Sequence, residues 1–254
     1  MKKVFLGIIA AIMAAVMCVS FTGCAKAKNV KGEKVTEEQW VAAIESLLAE
    51  HAVFTVDYSS KASGSYTHKT MVHKTTWSVK TTEKLTLVKN GALESVKGSQ
   101  KLTLKGDKAA AEQETGKAKK KEIEKYSEIV DSRIYNFEKG RDDLWTKEEG
   151  FYSVIQDSFS SVVSSVKNSY NSFVYSNEHK GYIRKNYDED DSDVTVYKFK
   201  DAKLIAVYIY EEETLIEDNA QDYAEGSYKT EVNITIKYTA KKITLPKVQE
   251  KEQA

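Results

Sequence analysis

Cysteine and proline are nearly absent from this chain. Both cysteines, Cys18 and Cys24, lie close to its start, and the single proline, Pro246, lies close to its end. Residues 25–254 therefore cannot form a disulfide, a cysteine-based metal site or a thiol nucleophile. A domain formed by these residues has to be held together by its hydrophobic core, and long proline-rich linkers are excluded.

An excess of one charge is also missing. The chain has 38 Lys and Arg residues against 38 Asp and Glu residues, so its formal net charge at pH 7 is zero. Domains that bind nucleic acid are usually basic. We therefore expect no nucleic-acid partner.

Signatures of the common enzyme classes are absent. The sequence contains no G-x-S-x-G, H-E-x-x-H, P-loop or G-x-G-x-x-G motif. Ser164 and Lys167 match the S-x-x-K motif of penicillin-binding proteins, but the companion S-D-N and K-T-G motifs are missing. We expect no catalytic residue, no cofactor and no enzymatic activity.

Residues that could bind a metal ion are few and poorly spaced. His68 and His73 are expected on opposite faces of one strand, and His179 is expected in a turn. The acidic segment 188–193 begins like an EF-hand loop, but the required glycine and the distal glutamate are both replaced. We predict a solvated acidic turn there and no metal site.

An apolar segment opens the chain. Lys2 and Lys3 precede a long uncharged run, which ends at Gly23 and Cys24. This layout is typical of a secretory signal peptide. An uncleaved signal anchor, or a signal peptide cut at another small residue, would have the same general pattern.

The segment Phe21-Thr22-Gly23-Cys24 resembles the lipobox of bacterial lipoproteins, although that family prefers Leu, Val or Ile where Phe21 stands. The resemblance implies that residues 1–23 are removed and that the Cys24 thiol carries a diacylglyceryl group. Membrane lipid is then a partner through this anchor. The protein is expected on the extracytoplasmic face of the cell membrane.

Two helices are predicted after a polar, flexible, lipid-anchored tether over residues 24–34. Thr36 and Gln39 form a capping box that predicts a helix over 36–50, with His51 at its C-terminal end. A second capping box, Thr146 with Glu149, predicts a middle helix. The apolar stripes of these two helices are Trp40, Ile44, Leu47 and Leu48 in the first, and Phe151, Ile155, Phe159, Val162, Val166 and Tyr170 in the second.

The remaining segments alternate like strands and are joined by short turns. Turns are predicted at Asn90-Gly91, at Gly106-Asp107 and near Ser132, whereas residues 109–125 are ambiguous. Short connections imply antiparallel pairing. The fold class is therefore α+β, with both helices packed on one face of a large curved antiparallel sheet. We expect one domain over residues 35–248, followed by a polar tail over 249–254.

The segment Leu204–Tyr210, "LIAVYIY", is apolar on both faces. It is either a central strand that protein covers on both sides or the floor of a ligand groove on the concave face. The sequence leaves both alternatives open.

A second resemblance covers about 200 residues. The order of a tether, "TEEQW", "FTVDY", "FKDAKLIAV" and "ITLP" is similar to that of a group of uncharacterised lipoproteins from Gram-positive bacteria, whose pattern resembles the LolA/LppX-like carriers. Those carriers hold lipid or acyl chains between a sheet and helices. The resemblance transfers no binding residue, so the ligand-binding residues stay unknown.

These observations predict a membrane-anchored extracytoplasmic lipoprotein that is a non-enzymatic binding or carrier module for an amphipathic or lipid-like ligand. The alternative is an interaction or structural module that binds another protein of the cell envelope. An apolar cavity of several hundred Å³ would favour the first function. A filled core with an exposed apolar patch would favour the second.

We predict that Cys24→Ala moves the protein from the membrane fraction to the medium or leaves it as unprocessed precursor. Two acyl chains give stable membrane attachment where one is marginal. Cell fractionation with a size-resolved immunoblot measures this, and Cys18→Ala is the matched control. Unchanged membrane retention at the normal mature size would contradict the lipoprotein interpretation.

Overall fold

The computed structural model describes residues 27–48, 51–68, 73–107, 119–140, 143–155, 165–185, 193–218 and 222–248. Cys24, Phe159 and most of the acidic turn 188–193 lie outside the described residues.

The described residues form an open antiparallel sheet of eleven strands with the order β6-β5-β4-β3-β2-β1-β11-β10-β9-β8-β7. This confirms the large antiparallel sheet. The strands are β1 (His51–His68), β2 (His73–Asn90), β3 (Leu93–Gly106), β4 (Lys119–Val130), β5 (Arg133–Lys139), β6 (Trp145–Gly150), β7 (Phe173–Ser176), β8 (Gly181–Arg184), β9 (Val194–Lys200), β10 (Lys203–Asp218) and β11 (Asp222–Lys237).

The first predicted helix is present and shorter than expected. Helix α1 spans Glu37–Glu45, and a 3₁₀ turn continues it over Ser46–Leu48. The Thr36 side chain accepts the Gln39 backbone N–H while the Gln39 side chain accepts the Thr36 backbone N–H, so the capping box is confirmed. His51 does not end this helix, because it is the first residue of β1.

The start of the predicted middle helix is wrong. Residues 146–150 belong to strand β6, which pairs with β5 along its whole length. Phe151, the first residue of the predicted apolar stripe, is 95% exposed. Ile155 and Val166 are buried in the core. The part of this prediction over residues 156–164 lies outside the described residues.

Turn chemistry predicts several hairpins correctly. Asn90-Gly91 opens the β2–β3 connection, where Gly91 has a φ of 60°. The turn near Ser132 joins β4 to β5, and Asp131 and Ser132 have φ values of 50° and 65°. The β1–β2 hairpin corrects the expectation that His68 and His73 share one strand, since the two residues end and begin paired strands and are Cα partners.

The sheet has two faces, because successive side chains of a strand point to opposite sides. On β1, Phe54, Val56 and Tyr58 lie on the face against which α1 packs, here called the helix face. Val53 and Thr55 lie on the other side, here called the tail face, because the C-terminal segment 239–248 covers part of it.

Strand β10 carries packed side chains on both faces, as expected for a central strand. Its register against β9 shifts between Leu204 and Ala206. Because of this bulge, Leu204 and Val207 both pack in the helix-face core, although strict alternation would place them on opposite faces. Tyr208 packs against a small apolar cluster on the tail face.

Both ends of the described chain lie on the tail face. Strand β11 ends at Lys237, and residues 238–248 form no strand. Beyond it, Ile243 packs against the sheet. At the other end, residues 27–34, which the sequence assigns to a flexible tether, lie against the sheet, with Ala27 fully buried.

Lys198 of β9 holds the N-terminal segment on the tail face. Its Nζ donates hydrogen bonds to the carbonyl oxygens of Lys28 at 2.9 Å and Val30 at 2.8 Å. Gly32 follows, where a Cβ atom would lie 2.8 Å from the carbonyl oxygen of Lys180. Lys198 is only 1% exposed. Burial, and then the charge of Lys180, lower the pKa of Lys198 from 10.5 to about 8.

This pKa gives stability a definite pH dependence. Between about pH 8 and 10.5 the unfolded chain keeps a proton on Lys198 that the folded chain has lost. The contribution of Lys198 to the free energy of unfolding therefore rises with pH across this window, by up to about 1.4 kcal/mol per pH unit.

We expect the melting temperature of the wild-type chain to rise relative to that of Lys198→Met between pH 7.5 and pH 9.5. Thermal unfolding of both chains across this range measures the effect. The control is Lys200→Met, an exposed lysine on the same strand and the same face. If the difference in melting temperature between the wild type and Lys198→Met stays constant with pH, the ammonium group of Lys198 is solvated.

Candidate functional site

Aromatic side chains fill the space between α1 and the sheet. Trp40 is fully buried, and its ring lies 4.9 Å from that of Phe199 and 5.1 Å from that of Phe173, centroid to centroid. Its Nε1–H donates to the carbonyl oxygen of Val166 at 3.0 Å. Tyr182 closes the cluster at 5.5 Å. The place that the carrier resemblance implies for a ligand therefore holds packed side chains at this end of the helix face.

A cavity of about 430 Å³ lies on the opposite, tail face. Its floor is formed by neighbouring positions of β2, β3 and β4, and its roof by the C-terminal segment 241–244. The lining residues are Thr86, Val88, Ser95, Lys97, Tyr126, Lys241, Lys242, Ile243 and Thr244. The volume lies within the range of about 300–1,000 Å³ that is usual for small-ligand pockets.

The sheet register explains how the cavity floor forms. Val88 lies opposite Ser95, and Ser95 lies opposite Tyr126, so these three side chains form one row across three strands. Thr86 lies opposite Lys97 in the next row. The residues converge only because β2, β3 and β4 are adjacent.

A hydrogen-bonded group fixes one wall of the cavity. Lys97 Nζ and Tyr126 Oη both donate to the Glu124 Oε1 atom, at 2.8 Å and 2.7 Å. The Lys97 ammonium also lies 4.9 Å from the centroid of the Tyr126 ring. The hydrogen bond with Glu124 raises the pKa of Lys97, and the same bond lowers the pKa of the Glu124 carboxyl. Glu124 therefore offsets much of the charge of Lys97.

Two buried hydroxyl groups next to the cavity find no hydrogen-bond partner in the described part of the chain. Thr55 lies between Thr86 of the cavity floor and Thr235 in one row across the sheet. Among the described residues, the Oγ1 atoms of Thr55 and Thr235 are buried without a hydrogen-bond partner. Leaving such a group unsatisfied costs about 1–3 kcal/mol. A row of hydroxyls thus leads from the sheet centre to the cavity.

The helix face carries acidic and tyrosine side chains beyond the reach of α1. Gln100 Nε2 donates to Glu83 Oε2 at 3.4 Å, and burial raises the pKa of the Glu83 carboxyl. Burial likewise raises the pKa of Glu211. It also raises the pKa of Tyr228 to about 12, with the carboxylates of Glu213 and Glu211 adding to the shift. These groups line a strip of the sheet.

The structure does not bring the sequence-predicted residues together into one site. Cys24 lies outside the described residues, as do Ser164 and most of the acidic turn. Of that turn, Asp193 is described, and its Oδ1 accepts the Glu212 backbone N–H at 3.2 Å. In the described ranges, no group of three or more His, Cys, Asp or Glu side chains is arranged to hold a metal ion.

Sequence patterns missed the cavity entirely. Its floor and roof are about 115 to 160 positions apart along the chain, and no motif connects them. The available signal was the polar run "AKKITLP" carrying one large apolar residue, Ile243.

No described helix combines the length and the apolar content that crossing a bilayer requires.

Comparison with known proteins identifies no family for this chain. No family model matches it, and no curated protein matches it. Solved structures that match include a DUF1329 family protein from Desulfovibrio piger ATCC 29098, with 8% sequence identity over 80% of this chain and 91% of that chain, at a TM-score of 0.21. A TM-score this low carries no argument about fold or function.

We expect Thr55→Val to leave the free energy of unfolding unchanged or to raise it, because the deleted hydroxyl has no hydrogen-bond partner among the described residues. The matched comparison is Ser127→Ala. The Ser127 hydroxyl donates to Asn136 Oδ1 at 2.6 Å and accepts the Val154 N–H at 2.8 Å. Removing the Ser127 hydroxyl should lower the free energy of unfolding by about 1–3 kcal/mol. Chemical denaturation measures the free energy of unfolding of both variants. A comparable decrease for Thr55→Val would mean that the Thr55 hydroxyl is hydrogen-bonded.

Proposed function

We propose that this protein is a lipoprotein anchored through Cys24 on the extracytoplasmic face of the membrane, and that it is a non-enzymatic binding or carrier module for an amphipathic ligand. The tail-face cavity supports this proposal more than any other feature. It has the size of a ligand pocket, and the sheet provides a floor whose positions are fixed by pairing on both sides.

The walls of the cavity favour an amphipathic anion. Val88, Ile243 and the Tyr126 ring supply apolar surface, and Lys242 supplies positive charge at the rim. The hydroxyls of Thr86 and Ser95 can donate to an acid group. A small headgroup at Lys242 and an alkyl chain against the apolar floor would satisfy both parts of the lining.

The roof also gives the ligand a way in. Segment 239–248 contains no helix or strand, and its contact with the sheet depends chiefly on Ile243 and the half-buried Leu245. A segment held by few apolar contacts opens more readily than paired strands do. Ligand exchange would therefore need movement of this segment and no change in the sheet.

Native mass spectrometry of the full chain, purified from its own host, tests the proposal. We expect an additional mass that corresponds to an acidic amphiphile. Thr86→Trp fills the cavity and should abolish this mass. The control is Thr103→Trp. Thr103 lies on the tail face of β3, is half-buried like Thr86, and does not line the cavity.

Two outcomes would contradict the proposal. The first is a wild-type chain that carries no additional mass and that also gains none when dodecyl phosphate is added. The second is the same additional mass on the wild type and both variants, because ligand would then bind outside the cavity.

A specific surface favours the alternative function, binding to another protein of the cell envelope. Phe151 is 95% exposed and Tyr152 is 56% exposed, and both directly follow the edge strand β6. Exposed aromatic residues beside an unpaired strand edge are typical of a protein-binding surface. A photoreactive residue at position 151 should cross-link to a partner in cells under this alternative. One at position 138, an exposed position on the neighbouring strand β5, should not.

A further inference from the structure

The two faces of strands β1, β2 and β3 differ sharply in charge. On the helix face, the only charged Lys, Asp or Glu side chains of these strands are Glu83, Lys89 and Glu94. On the tail face the same strands carry one carboxylate, Asp57, and a set of lysines, here called the lysine face. Its members are Lys61, Lys74, Lys80, Lys84, Lys97, Lys101 and Lys105.

The members of the lysine face are exposed, and the described part of the chain neutralises few of them. Lys84 lies 3.5 Å from Asp57, and Lys97 is paired with Glu124. Among the described residues no ion pair is formed by Lys61, Lys80, Lys101 or Lys105. The positions between them on this face are serines and threonines, which leave the lysines unobstructed.

The lysines also oppose one another across the sheet. Lys61 lies directly opposite Lys80 on one side and directly opposite Lys229 of β11 on the other. Like charges at directly opposite positions destabilise a sheet. Glu212 of β10 lies opposite Lys229, with its Oε2 3.5 Å from the Lys229 Nζ, so the opposition between Lys61 and Lys80 is the one that a negatively charged partner would relieve.

The N-terminal segment places the proposed anchor on this same face. Ala27 is fully buried, and the Lys28 backbone N–H donates to Asn233 Oδ1 on the tail face of β11. Cys24 precedes Ala27 by three residues, which span at most roughly 10 Å even when fully extended. A lipid on Cys24 therefore holds the membrane close to the tail face.

We propose that the lysine face docks on the anionic lipid surface of the membrane that carries the anchor. This inference rests on the proposed anchor and adds the orientation of the bound protein. The short spacer leaves too little room for another macromolecule between this face and the bilayer. Each lysine near an anionic surface strengthens attachment by about fivefold, so several together fix one face against the membrane.

The test uses the full chain reconstituted in vesicles of neutral lipid or of neutral lipid with anionic phosphatidylglycerol. An amine-reactive reagent labels accessible lysines, and peptide mass spectrometry measures the labelling rate of each lysine. In anionic vesicles we expect labelling of Lys61, Lys80, Lys101 and Lys105 to fall about fivefold. The controls are Lys119 and Lys121, exposed lysines on the helix face of the adjacent strand, whose labelling should not change.

Salt and charge variants sharpen the test. Salt at 1 M shortens the screening length to about 3 Å and should restore labelling of the lysine face. The paired change Lys61→Glu and Lys80→Glu should abolish protection at Lys101 and Lys105, whereas Lys119→Glu with Lys121→Glu should preserve it. Equal protection in neutral vesicles, protection already present in detergent, or no protection in anionic vesicles would each overturn the inference.

Flotation of the vesicles separates this inference from the anchor. A chain that floats with neutral vesicles but gains no protection in anionic ones retains its anchor and overturns the docking surface. A chain that floats only with anionic vesicles and shows protection supports the docking surface and contradicts the anchor.

Discussion

The structure depends on one constraint: the sheet has apolar side chains on both faces, and α1, the longest helix among the described residues, covers only a small part of one face. Helix α1 has 9 residues and is about 13 Å long, whereas β1 has 18 residues and spans about 60 Å. Trp40 and its aromatic neighbours occupy the small area beneath the helix. Irregular segments cover parts of the tail face. The cavity under Ile243 and the buried ammonium of Lys198 both result from this arrangement.

Local sequence signals predicted those features that neighbouring residues decide. The Thr36–Gln39 box forms because a helix N-terminus has unsatisfied N–H groups that only side chains a few positions away can reach. Gly91, Asp131 and Ser132 adopt positive φ values that tight hairpins require. Thr146 and Glu149 have the same spacing as a capping box, yet they lie in β6, because pairing with β5 outweighs a weak helical preference.

The candidate site could not be predicted because its parts come from distant segments. Lys198 sits in an ordinary alternating strand, and nothing in "VYKFK" shows that its neighbours in space are the carbonyl groups of residues 28 and 30. The bulge after Leu204 changes which side chains face the core without any glycine to mark it. The two faces of β1–β3 were separable in principle from alternation, but only the register shows that Lys61, Lys80 and Lys229 form one row.

The pairing of β1 with β11 makes the order of synthesis important. Strands β1–β6 and β7–β11 each pair with their neighbours in sequence, and the contact of β1 with β11 is the one that joins these two halves. Contacts between segments so far apart along the chain form slowly, since a long loop has to close first. While the chain is being made, β1 keeps a free edge of 18 residues until the last strand arrives, and a free edge invites pairing with other chains. A chaperone that holds the chain until β11 is complete would prevent such pairing. A chain truncated before Asp222 lacks β11, so the edge of β1 would stay free.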